Sequence, residues 1–124
     1  HQQELDARGR RYLEKVRRLA LALPEVVETE SFGEPWFRAG GVEGKMITVF
    51  GAVDGEWSLC VKCGKEQMSL FLADARFVKT PYIGNHGWVS LKLDRKKPNW
   101  EEVGELLRMS YRNNAPKKLI RLLD

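Results

Sequence analysis

Between Glu28 and Lys62 the chain carries four short apolar runs, each cut off by residues that turn the backbone, and this punctuation restricts its possible folds more than any other feature. The runs are Glu28 to Phe32, Trp36 to Ala39, Lys45 to Phe50 and Glu56 to Lys62. They are broken by Gly33-Glu34-Pro35, Gly40-Gly41 and Asp54-Gly55. Breaks this short, rich in Gly and Pro, suit hairpins, so the segment predicts an antiparallel meander. In its last run Trp57, Leu59 and Val61 alternate with Ser58, Cys60 and Lys62, which gives one buried face and one open face with Lys62 on the open side.

The flanks read differently. Leu5, Tyr12, Leu13, Val16, Leu19, Ala20 and Leu23 recur at three- and four-residue spacings, the stripe of an amphipathic helix that Pro24 ends. After Gly64, residues Gln67 to Leu72 suit a short helix. Trp88 to Leu93 form a further strand, with Val89, Leu91 and Leu93 on one side and Trp88, Ser90 and Lys92 on the other. Pro98-Asn99 opens a helix through Trp100, Val103, Leu106, Leu107 and Tyr111, and Asn113 to Pro116 separate it from a last helical turn ending at Leu123. This order predicts an α+β domain, an antiparallel sheet meander with helices packed on one face, in a single unit over residues 1–124. There is no βαβ alternation, internal repeat or low-complexity linker.

At 124 residues such a domain buries roughly two-thirds of its unfolded surface, and 43% hydrophobic with 31% charged residues matches a globular chain. No apolar run approaches the roughly 20 residues that span a bilayer, and the charged start lacks the apolar centre of a secretory signal. The expectation is a cytoplasmic protein with no membrane partner. His1 is set aside from the functional reading. The net charge of +4 is unevenly placed. Arg8, Arg10, Arg11, Lys15, Arg17 and Arg18 load the first helix, Arg108, Arg112, Lys117, Lys118 and Arg121 load the C-terminal end, and Glu25, Glu28, Glu30 and Glu34 lie between. Clustered cations suit a polyanion such as DNA through counterion release; the plainer reading is solvated helix faces.

Cys60-Val61-Lys62-Cys63 has CxxC spacing, but a redox pair needs its first cysteine at a helix N-terminus and Cys60 falls inside a strand pattern. A structural zinc needs about four ligands, and the chain has neither a second CxxC nor a second internal histidine. No metal and no cofactor are therefore expected. His86 sits in Pro81-Tyr82-Ile83-Gly84-Asn85-His86-Gly87-Trp88 and could act as a general base, yet no serine or tyrosine occupies a recognisable nucleophile context. The alternative is a tight turn over Gly84 to Gly87, with the imidazole bonding a backbone carbonyl. Gly40 to Lys45 joins two strands and reads as a hairpin rather than a phosphate loop.

One of Trp36 and Phe37 must face the core; with Trp36 outward, strand alternation puts Trp36, Arg38, Lys62, Trp88 and Lys92 on outer faces, a basic and aromatic surface of the kind that stacks bases and holds phosphates. A second apolar face covered by a helix is the alternative.

The helix ending Ala20-Leu21-Ala22-Leu23-Pro24 is followed by Phe32 to Arg38, Lys45 in the first hairpin, Leu59 to Lys62 and Asp74-Ala75-Arg76-Phe77. Then come Pro81-Tyr82 with Gly84, His86-Gly87-Trp88-Val89, and finally Ser110-Tyr111 and Ala115-Pro116-Lys117. In order and spacing this series resembles the MmcQ/YjbR-like family over nearly the whole chain. The resemblance implies the α+β fold called CyaY-like, whose sheet has been likened to the double-wing DNA-binding domain of a phage transcription factor. The acidic helix edge of the frataxin iron-binding proteins is not reproduced, since the first helix here is basic, so iron binding is not carried over.

The leading expectation is a non-enzymatic cytosolic module that binds DNA or another polyanion. Arg38, Lys62 and Lys92 would neutralise phosphates, and Trp36, Trp88, Tyr82 or His86 would stack. The first alternative is a small-molecule pocket protein or an enzyme centred on Tyr82, His86 and Trp88, with Lys45 or Lys62 as an anion partner. The second is a protein-interaction module using the basic terminal helices.

Overall fold

Asp6 starts the first helix by accepting the Gly9 N–H at 2.7 Å, which satisfies a backbone donor that has no partner inside the helix. The computed structural model describes residues 4–123, and His1 lies outside them. Helix α1 spans Ala7–Ala20 and buries Leu13, Val16 and Ala20. It stops short of the expected Leu23, because the Leu21 N–H closes the last turn on Arg17 O and the Leu23 N–H turns back to Ala20 O.

The strands are β1 (Val26–Ser31), β2 (Glu34–Ala39), β3 (Lys45–Val53), β4 (Glu56–Lys62), β5 (Phe77–Lys79) and β6 (Trp88–Lys92). They form an antiparallel sheet in the order β1-β2-β3-β4-β6-β5. Helix α2 (Met68–Leu72) precedes β5, and α3 (Trp100–Asn114) and α4 (Lys117–Ile120) close the chain. Helix α3 opens as its sequence predicts, with the Asn99 side chain accepting the Glu101 and Glu102 N–H groups. The fold is α+β. Phe37, Phe50, Leu59, Val61, Val89 and Leu91 from the sheet meet Leu13 and Val16 of α1 and Val103, Leu107 and Tyr111 of α3 in one core. Two contacts fix α1 on the sheet. Trp57 Nε1 donates to Asp6, and a side chain at Gly9 would lie 2.8 Å from the Trp57 ring, so only glycine lets the helix come this close.

Strand β3 changes partner along its length. Its first half pairs with β2, from Ala39↔Lys45 to Trp36↔Val49, and its second half pairs with β4, from Phe50↔Leu59 to Val53↔Glu56. Where the β2 register shifts from Phe37↔Thr48 to Arg38↔Met46, Ile47 is the extra residue of a bulge. The backbone thus freed between β3 and β4 is taken up largely by α3. Ser110 Oγ donates to Ile47 O at 2.6 Å and accepts the Lys62 N–H at 2.9 Å. The Asn114 amide donates to Met46 O at 2.6 Å, the Asn113 amide donates to Lys62 O at 2.8 Å, and Thr48 Oγ1 donates to Cys60 O at 2.5 Å.

Ser110→Ala would leave the Lys62 N–H and the Ile47 carbonyl unpaired in a buried position. Each such group costs about 1–3 kcal/mol, so urea unfolding should show a loss of at least ~2 kcal/mol; a loss below ~0.5 kcal/mol would contradict this role.

Candidate ligand groove

Phe37 and Ala39 of β2 are fully buried beneath the helices, so by alternation Glu34, Trp36 and Arg38 point to the opposite, outer face. There Glu34 and Trp36 line a groove with Met46, Val49, Gly51 and Val53 of β3, Ser58 and Cys60 of β4, and Ser90 of β6. Its volume is about 550 Å³. Among the described residues no helix lines it, against the alternative of a helix-covered face: the segment from Thr80 to Ile83 walls one side, tied to β6 by a 2.9 Å hydrogen bond between the Thr80 and Ser90 hydroxyls.

The rim carries Phe32 and Tyr82, both strongly exposed. Both hold left-handed backbone, φ 54° at Phe32 and φ 68° at Tyr82. For a non-glycine residue this conformation costs roughly 1–2 kcal/mol, and strain of this kind concentrates at ligand sites. Trp36 sits between neighbours, its ring 6.0 Å from that of Phe32 and 5.1 Å from the Arg38 guanidinium carbon. Arg38 is held in place by Thr29 Oγ1 and Gly44 O. The Trp36 indole N–H is buried and has no hydrogen-bond partner among the described residues. Glu34 lies over Gly51 so closely that a side chain there would meet its carboxylate at 2.0 Å. Burial pushes the Glu34 pKa up.

Two cationic residues expected on an open surface are not available there. Lys92 lies on the outer face, opposite Ser58, but is only 1% exposed; its ammonium donates to Val53 O and pairs with Glu56 at 3.8 Å. Burial lowers its pKa while Glu56 opposes that shift. Lys62 is half-buried and donates to Asn114 Oδ1 at 3.0 Å. Trp88, opposite Lys62, is likewise buried rather than exposed. Lys45 is exposed at the far end of β3, on a second cleft of about 390 Å³ shared with Glu25, Glu43 and Lys118.

Tyr82 lines the groove, whereas His86 and Trp88 do not, so the pocket is not centred on those three residues together. His86 is exposed in the 3₁₀ turn Gly84–His86, and its imidazole forms no hydrogen bond among the described residues. Backbone fixes that turn instead of the expected imidazole bond. Gly87, at φ 92°, donates to Gly84 O and accepts from the Cys63 and Gly64 N–H groups, and a side chain on it would lie 2.9 Å from Gly64 Cα. The two cysteines are separated: Cys60 lines the groove, while Cys63 lies in the core and donates to Gly64 O. Burial pushes the Cys60 thiol up to about 12, which keeps it protonated at neutral pH. Among the described residues no three His, Cys, Asp or Glu side chains converge on a metal position.

Phe32 and Glu34 are groove residues that the sequence does not single out, since Phe32 ends a run and Glu34 lies within the break that follows it. The alternation through Glu34, Trp36 and Arg38 was the signal that could have placed Glu34.

A family model described as YjbR matches residues 21–113. The chain belongs to the YjbR family. The matched span contains every residue that lines the groove, from Phe32 to Ser90. The fold is also similar to the crystal structure of a Deinococcus radiodurans protein with the family domain DUF419. The TM-score is 0.65 at 26% sequence identity, over 80% of this chain and 75% of that one. No curated protein matches the sequence. Within this YjbR domain, Gly87→Ala should lower stability by about 1 kcal/mol or more, because φ > 0 and Gly64 both oppose a side chain. His86→Ala should stay within ~0.5 kcal/mol of the parent. Chemical unfolding of the two variants checks both; a larger loss for His86→Ala would make the histidine the turn's structural anchor.

Proposed function

We propose that this YjbR-family chain is a binding module that holds a flat, mainly apolar small molecule in the groove on the outer face of its sheet. The observation that carries this reading is the groove itself. It has the volume of a small-ligand site, a mostly apolar lining with a few hydroxyls, and two exposed aromatics held at its rim in left-handed backbone. Rings so placed can close on both sides of a planar ligand, and such aromatics carry a large share of binding energy.

The neutral fluorophore N-phenyl-1-naphthylamine, which brightens in apolar surroundings, tests this directly. Emission should rise with the parent protein. Tyr82→Gly should lower affinity roughly 5-fold or more, since an aromatic anchor contributes over about 1 kcal/mol. The same change removes left-handed strain, so stability should hold or rise by up to ~1 kcal/mol. Absence of any emission change, or equal binding by Tyr82→Gly and the parent, would overturn the reading.

A second reading, binding of DNA or another polyanion, is supported by Arg38 stacked on Trp36 beside exposed Phe32. Exposed Arg11 and Lys15 on α1 add to it, since neither has an ion pair among the described residues. It predicts that a labelled oligonucleotide binds at low salt and that affinity falls steeply as salt rises. No binding at low salt would remove it.

A further inference from the structure

Among the residues lining the groove, Glu34 is the one with a charged side chain. Its carboxylate is half-buried over Gly51 and has neither an ion pair nor a hydrogen bond among the described residues. The other charges near this face are already satisfied. Lys92 is turned to Val53 O and Glu56, Glu56 also takes a bidentate pair from Arg95, and Arg38 is spread over the Trp36 ring. A carboxylate partly desolvated in an apolar wall is costly, and a cation or N–H donor offsets that cost; the chain's own amino terminus already acts on Glu34 in that sense without outweighing burial. Two positions along the same strand face, the buried Trp36 N–H also lacks a partner, so this wall holds an acceptor and a donor without hydrogen bonds among the described residues.

Resting on the groove reading above, we infer that the ligand is a flat ring compound bearing a protonated amine or amidine, whose nitrogen pairs with Glu34 while the ring lies along Trp36, Met46 and Val49. The direction of the Glu34 shift fits: burial disfavours its charged form, and a bound cation would favour it again.

The test uses three probes with one ring system: 1-naphthylmethylamine, 1-naphthylmethanol and 1-naphthoate. Each displaces N-phenyl-1-naphthylamine from the parent protein and from Glu34→Gln near neutral pH. In the parent, the amine should bind roughly 10-fold tighter than the alcohol or better, since hydrogen bonds to charged groups contribute about 1.5–3 kcal/mol, and the carboxylate should bind weakest. In Glu34→Gln the amine should lose that advantage while the alcohol keeps its affinity within about 2-fold. If the alcohol binds and the amine shows no preference, or if the preference survives Glu34→Gln, the cation inference fails and the groove reading stands. If none of the three displaces the bound fluorophore, the cation inference fails; if the fluorophore itself does not bind, the groove reading fails with it. The ratio in the parent decides the question even if the variant does not fold.

Discussion

Strand β3 cannot pair with both of its neighbours along its whole length, and the way its free backbone is satisfied holds the rest of the structure together. A buried backbone N–H or carbonyl without a partner is costly, so a sheet that parts between two strands must fill the gap. Here it does so mainly with one helix. Ser110, Asn113 and Asn114 of α3 reach the exposed edges of β3 and β4, and Thr48 spans the remainder. The same helix contributes Val103, Leu107 and Tyr111 to the core, so packing and hydrogen bonding fix a single position for it. Tyr111 extends that grip to the loop after α1 by donating to Pro24 O at 2.8 Å.

The outer face follows from this arrangement. A bulge bends the strand that carries it, and the groove runs past the bend, lined from β2 on one side and from β4 and β6 on the other. The helices occupy the opposite face, and the segment from Thr80 to Ile83 walls part of the outer one without filling it. The charge pattern divides the same way. The outer face spends its lysines internally, Lys92 on Val53 and Glu56 and Lys62 on Asn114, whereas Arg11 and Lys15 stand exposed on α1. What remains around the groove is largely apolar surface, with four hydroxyl-bearing side chains and one carboxylate.

Much of the fold was legible because its signals are local. The meander runs, the α3 cap at Asn99 and the core-facing sides of β4 and β6 could all be read from alternation and spacing, whereas the expected open side of β4 is buried at Ser58 and Cys60. Pro35 reads as a break in the sequence yet lies in β2, which is possible because pairing with β3 begins only at Trp36. The three-residue strand β5 was missed, being too short to show a period of two. The site was harder to read for a different reason. Alternation gave the face of Lys92 and tied Arg38 to Trp36, while the burial of Phe37 decides that both point outward; burial itself depends on partners distant in sequence. The Lys92 ammonium is held by Val53 O two strands away and by Glu56 on the adjacent strand, and the groove brings Phe32 and Tyr82, fifty residues apart, into one lining. Neither fact has a trace in any single stretch of sequence.

The central claim, that the outer-face groove is where this YjbR-family chain binds its ligand, is tested most directly by following the four tryptophan indole N–H resonances in a heteronuclear NMR titration with N-phenyl-1-naphthylamine. Trp57, Trp88 and Trp100 lie outside the groove and Trp36 lines it. The account predicts that the Trp36 indole signal moves in step with the backbone amides of Val49, Gly51, Ser58 and Thr80 while the other three indoles hold their positions. Shifts confined to α1 and α3, or a Trp36 signal that stays fixed at saturating probe, would contradict it.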